Sequence, residues 1–351
     1  MAGEDQRLDY IDGLRLLGAS AVVVQHLFER FSAPWAQALI LPAPGVFGVV
    51  LFFMISGFVI PFSVRQGVDV RAFAIRRVLR IYPVYLMVLA LALIAGLTNV
   101  APHFRSIADA GPGTWLANLL LLQDFVGAKA FYSVSWTLAI EFIWYAIFIV
   151  MVKVAGDRAG PISAVAAPAM MLVLTIASLA IDTRIPLGRP GMLYAAVLGY
   201  QAYRYLQGET SARAWHTTIA AFALITLFSN AVAFGYFRHP NITQMQAIGP
   251  WTAALALFVA VLSVPVLRRG LAGRRVAAIG AASYSIYMVH PLAIAAAVHL
   301  GAPVLVVSAA LLLTLGMALA SYRWVEQPGI RLGRALSARP AAGLRPATAL
   351  S

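Results

Sequence analysis

The chain has 351 residues, 61% apolar and 11% charged, with 26 Lys and Arg against 13 Asp and Glu for a net charge of +13. Soluble domains carry about 25% charged residues, so this composition excludes an ordinary soluble domain. The basic excess reads as positive loops and lipid-headgroup contacts, and no nucleic-acid partner is expected. Zero cysteines exclude disulfides, thiol nucleophiles and cysteine metal ligands, and no metal is expected at the site.

In chain order, the leader is acidic through Glu4, Asp5, Asp9 and Asp12, which makes it a poor signal peptide, and the first apolar run is read as retained. A membrane helix needs about 20 apolar residues. Ten such spans are predicted, near 14–31, 45–63, 81–100, 134–152, 161–181, 190–206, 216–237, 248–267, 276–300 and 304–325. The apolar stretch 114–126 is shorter and is interrupted by Asn118, Gln123 and Asp124; it is read as interfacial or re-entrant. With a cytoplasmic N-terminus, 20 basic residues fall inside and 6 outside, the bias expected of the positive-inside rule. The expectation is an all-α, polytopic membrane helical bundle of about ten transmembrane helices with N- and C-termini cytoplasmic, in the cell's inner (cytoplasmic) membrane. Residues 1–13 form the cytoplasmic N-terminus, 14–325 the transmembrane domain, and 326–351 a cytoplasmic tail that is disordered after 337. No internal repeat is evident.

Ionisable residues inside these spans are costly and point to function. The first span carries Arg15 and His26, eleven residues apart and so about three turns apart on one face; a histidine suits general-base chemistry near neutral pH. The glycine-rich run GVFGVVLFFMISGFVIP (45–61) reads as close helix packing. In RAFAIRRVLRIYPVY (71–85), Arg76, Arg77 and Arg80 recur at helical spacing and suit a polyanion clamp, with Pro83 in the first turn of the next span. Glu141 is a carboxylate deep in its span, between Thr137 and Tyr145. Ser283, Tyr287 and His290 share one face in IGAASYSIYMVHPL (279–292). Counted from the cytoplasmic ends, His26, Glu141 and His290 lie at about 18, 17 and 21 Å, so the three are expected to meet. Glu326 and Pro328 close the last span.

These residues resemble the acyltransferase-3 family of integral-membrane O-acyltransferases across about residues 7–334. The resemblance rests on Asp12, Gly13, Leu14 and Arg15 with His26; on LFFMISGF; on Arg77, Arg80, Ile81 and Pro83; on Trp136, Leu138 and Glu141; on SYSIYMVHP; and on Glu326, Gln327 and Pro328. Val50, Thr137, Phe142 and Ile143 stand where the family often has Asp, Ser, Glu and Gln. The resemblance implies a ten-span acyltransferase domain, here without a following esterase-like domain. It implies transfer of an acyl group, usually acetyl from cytoplasmic acetyl-CoA, to a hydroxyl of a carbohydrate or glycosylated acceptor. It marks His26 as the best catalytic candidate and gives weight to Arg15, Arg77 and Arg80. The expected site is then catalytic His26, Glu141, His290 and Tyr287, with Arg15, Arg76, Arg77 and Arg80 holding the acyl-CoA. Glu141 is expected to orient the His26 imidazole, and His290 or Tyr287 to stabilise an oxyanion. The competing reading is a proton-coupled transporter or channel using the same buried residues.

Overall fold

The computed structural model describes residues 9–64, 67–239 and 242–338; most of the acidic leader, Arg65 and the tail expected to be disordered lie outside the described residues. The elements are helices: α1 (Asp9–Phe28), α2 (Pro34–Ile40), α3 (Pro44–Val59), α4 (Val70–Leu97), α5 (Pro112–Leu119), α6 (Trp136–Ala155), α7 (Ala159–Ala180), α8 (Gly188–Leu206), α9 (Ala212–Asn230), α10 (Gln244–Ser263), α11 (Pro265–Leu271), α12 (Arg274–Gly280), α13 (Ser283–Ala297), α14 (Pro303–Ser321) and α15 (Gln327–Ser337). Their starts follow local chemistry. Pro34, Pro44, Pro112, Pro265 and Pro303 occupy first turns, where a missing N–H costs nothing. Thr243 and Gln246 close a reciprocal capping box on α10.

The helices α1, α3, α4, α6, α7, α8, α9, α10, α13 and α14 match the ten predicted spans one to one. Among the described residues eight stretches are long and apolar enough to cross a membrane, and one of them, Ser133–Ala180, holds both α6 and α7. The more polar α8 is not among them, yet 12 of its 19 residues are buried, so protein rather than lipid receives much of its surface. The stretch read as interfacial or re-entrant overlaps the eight-residue α5. Asn118, fully buried there, donates to the Thr114 and Lys129 carbonyls, both at 2.9 Å, and accepts from the Phe131 N–H at 2.8 Å. The polar residue that interrupts the apolar run thus ties a loop together.

Two boundaries differ from the sequence reading. Pro83 does not start a helix; it lies inside the 28-residue α4. Proline leaves the carbonyl four residues earlier without its helical donor, and Gly329 of α15 packs where a Cβ would strike that Leu79 carbonyl and the Pro83 ring. The gap in the ladder is filled by tertiary packing. The last span likewise does not end at Glu326. It passes through a π-helical turn, Tyr322–Glu326, into α15, whose Gly333 lies against the Arg76 backbone.

At the centre, α3 is held on both sides by glycine contacts. A Cβ on Gly48 would strike the Gly18 carbonyl of α1, and one on Gly57 would strike the Ala196 carbonyl of α8. The glycine run packs as its composition suggests. Against this unit lies α13, with 13 of its 15 residues buried.

Candidate functional site

The His26 and His290 side chains meet in the interior. His26 Nδ1 is 2.8 Å from His290 Nε2, and the rings stack with centroids 5.1 Å apart. His290 is fully buried, whereas His26 keeps partial access. His290 Nδ1 lies 2.7 Å from the main-chain oxygen of Tyr287. That oxygen is available because Pro291, inside α13, has no N–H to return to it. A carbonyl only accepts, so His290 carries its proton on Nδ1 and offers a lone pair at Nε2; His26 must then donate from Nδ1. The His26 Nε2 lone pair is left uncommitted. One proline therefore sets the tautomers of two histidines.

Tyr287 stands beside this pair, its ring edge-on to His290 at 5.9 Å and to Phe52 at 5.8 Å. Its hydroxyl is 3.0 Å from Thr137 Oγ1, and Thr137 donates to the Val134 carbonyl at 3.0 Å. Although Thr137 replaces a frequent serine, it keeps the hydroxyl that holds Tyr287. Tyr132 buttresses the other side, donating to the Met288 carbonyl at 2.6 Å.

Tyr287 and Thr137 also close one end of a cavity of about 850 Å³, its open mouth included, whose wall carries Arg15, Arg77, Arg80, Glu141 and Tyr284. This volume lies in the range of small-molecule sites. The arginines come from two helices, Arg15 from α1 and Arg77 and Arg80 from α4, and are fixed by different partners. Arg15 donates to Asp12 at 2.9 Å, one turn back on α1. Arg77 reaches Ser63 Oγ at 3.3 Å and stands over the Phe73 and Tyr145 rings, each at 5.3 Å. Arg80 is within electrostatic reach of Glu326, Glu141 and Asp12. Ser56, on the same wall, has a buried hydroxyl with no protein partner among the described residues.

The expected residues thus divide into two groups. His26, His290 and Tyr287 come together as anticipated. Glu141 does not join the imidazole: it accepts from Tyr145, one turn along α6, and faces the arginines. Arg76 is also apart from the cavity wall, donating to Ser337 of α15 at 3.3 Å.

Glu326, which the sequence offered only as the end of a span, is fully buried. It accepts from Ser285 Oγ at 2.7 Å, and Ser285 also meets Ser321 at 3.2 Å. Its other oxygen has no partner among the described residues, and Arg80 and Arg15 lie within electrostatic reach. The signal that points to it is the polar set of Ser285 at the start of α13, Ser321 at the end of α14 and Glu326 in the turn that follows.

The chain is 28% identical over 315 residues to the exopolysaccharide production protein ExoZ of Rhizobium meliloti, covering 83% of this chain and 91% of that protein. It is 29% identical over 153 residues to the acyltransferase MdmB of Streptomyces mycarofaciens, covering 40% of this chain and 38% of that protein. A similar match, 29% over 154 residues, joins it to nodulation protein 10 of Rhizobium leguminosarum bv. viciae, covering 38% and 41%. The chain therefore spans about two fifths of the length of these last two relatives. No solved structure matches it. The family's acyltransferase domain matches residues 8–324, and the chain belongs to the acyltransferase-3 family as a multi-pass membrane protein.

Proposed function

We propose that the protein is an O-acyltransferase that moves an acyl group, acetyl from acetyl-CoA, onto a hydroxyl of a carbohydrate or glycosylated acceptor. It does so in the cytoplasmic membrane with both chain termini on the cytoplasmic side. The observation that carries this reading is the histidine pair with a free His26 Nε2, set beside a cavity whose far end is rich in arginine.

In this reading the CoA phosphates bind Arg77, Arg80 and Arg15, because guanidinium forks match phosphate oxygens. Glu141, Asp12 and Glu326 space the three cations so that they coexist without a ligand. The acylated pantetheine arm lies in the cavity toward Tyr287. His26 Nε2 takes the acceptor hydroxyl's proton as its oxygen bonds to the thioester carbonyl carbon. His290 shares the positive charge through the His26 Nδ1 proton. Of the two groups considered for the oxyanion, Tyr287 is the better placed, since it lines the cavity and its hydroxyl can turn its proton from Thr137 to the oxyanion, whereas His290 Nε2 carries no proton and accepts from His26. Collapse breaks the C–S bond, and the thiolate recovers the proton from His26, leaving ester and free CoA.

The test is acyl transfer by purified protein in lipid nanodiscs with labelled acetyl-CoA and carbohydrate acceptors. His26→Ala should lose transfer while acetyl-CoA binding, followed by thermal shift, persists. Normal turnover by that variant overturns the assignment. Absence of acetyl-CoA binding together with solute uptake into vesicles favours transport instead.

A further inference from the structure

A second cavity, of about 1,190 Å³ with its open mouth included, lies among α3, α6, α7, α8, α9, α10 and the segment before α8. Its wall carries Trp136, Trp251, Arg184, Arg189, Asn230 and Gln246. Helix direction puts it at the end of the bundle opposite the arginine cluster. It includes the starts of α6 and α10 and the last residues of α9, whereas the first cavity includes Arg15 in the early turns of α1 and the start of α13. The two approach each other at consecutive residues, Trp136 and Thr137, and within one turn of α3, Val46 and Val49. Gly45, next to Val46, bonds the side chain of Gln25, the neighbour of His26, at 3.4 Å.

The chemistry of this wall differs from that of the first cavity. Two indoles offer flat apolar faces, and two carboxamides offer hydrogen bonds. Gln246 uses its oxygen to accept the Thr243 N–H at 2.8 Å, which leaves its NH₂ as the group it can give. The two arginines are not equivalent. Arg189 is paired with Asp124 at 3.0 Å. Arg184 is fixed through Nε to the Ala233 carbonyl at 2.9 Å and lies over the Phe234 ring at 4.6 Å, with no carboxylate partner among the described residues. A guanidinium so held has its two terminal nitrogens for a ligand and needs no reordering to use them.

We propose that this cavity is the acceptor subsite and that the acceptor is an anionic glycoside, its ring faces against Trp136 and Trp251 and its negative group on Arg184. This rests on the acyltransferase reading. The anion has two chemical sources, a carboxylate on the sugar or a phosphate on a prenyl diphosphate carrier, and both satisfy Arg184. The donor suits the other cavity better, since a CoA polyphosphate finds three guanidinium forks on that wall and one guanidinium without a carboxylate partner here.

The test measures acyl transfer from acetyl-CoA by the full chain in nanodiscs to three probes: an oligoglucuronate, a glycosyl prenyl diphosphate and a neutral gluco-oligosaccharide. At least one anionic probe should have a KM about tenfold or more below that of the neutral one, and the preferred probe identifies the source of the charge. Arg184→Gln should remove that preference, raising the anionic acceptor's KM by tenfold or more while acetyl-CoA binding stays as it was, and Arg184→Lys should fall between. Equal use of charged and neutral probes, an anionic KM unmoved by Arg184→Gln, or no transfer to an anionic probe while acetyl-CoA binds overturns the subsite alone. A wild-type protein that neither binds acetyl-CoA nor acylates any probe overturns the acyltransferase reading with it.

Discussion

The two ends of the bundle are built from opposite materials. At one end Arg15, Arg77 and Arg80 stand among Asp12, Glu141 and Glu326, so high charge density is held at near-neutral balance. At the other, tryptophans and carboxamides surround one uncompensated guanidinium. Tyr287, on the wall of the first cavity, touches the His26–His290 pair, whose own side chains line neither cavity. Under the proposed function, the contrast would sort two polar substrates by the chemistry of the wall each meets.

The sharpest way to break this contrast is at the histidine pair. His26→Ala removes the free nitrogen, and transfer should fall by about 10²–10⁴-fold, the usual worth of a positioned general base, while the KM for acetyl-CoA scarcely moves; a parallel rise in that KM would join the histidine to the donor end. Next, Arg80→Ala should raise the KM for acetyl-CoA about 10–150-fold, the equivalent of a charged hydrogen bond of about 1.5–3 kcal/mol, and leave acceptor KM unchanged. Pro291→Ala should cost kcat about tenfold without loss of thermal stability. It supplies a main-chain N–H that competes with His290 for the Tyr287 carbonyl, while alanine is the better helix former; an unaltered kcat would show that the tautomers do not depend on the proline. Smallest of all, Arg76→Ala should change acetyl-CoA KM by less than about twofold, because its hydrogen bond runs to Ser337 away from the cavity wall. An effect equal to that of Arg80→Ala would return Arg76 to the clamp.

The helices are legible in the sequence; which side chains meet is not. Apolar runs mark helices one by one, and a fixed rise per residue predicts one level for His26, Glu141 and His290, yet Glu141 faces Arg77 and Arg80. Which of the three face each other depends on the order of helices around the bundle, and a single chain does not encode that order locally. Hence His26 found His290 rather than Glu141. By its usual place Pro83 belongs in a first turn, but Gly329, far along the chain, fills the gap it leaves in α4. Glu326 looked like an end marker because its meaning depends on Ser285 and Arg80, remote in sequence. The tryptophan-lined cavity gave no signal at all, since its residues are scattered over six helices and form no motif.

The contact between Gly18 and Gly48 has a mechanical consequence. His26 lies eight residues beyond Gly18 on α1, about 12 Å along the axis, so the glycine pair acts as a fulcrum and the imidazole rides on the lever arm. A Cβ at Gly48 would strike the Gly18 carbonyl and lie 2.9 Å from Val22, within one turn of the histidine. A displacement of 1 Å at a reacting group can cost about 10²-fold in rate. The alignment of the nitrogen proposed as the general base is thus set two turns away, by the absence of two methyl groups.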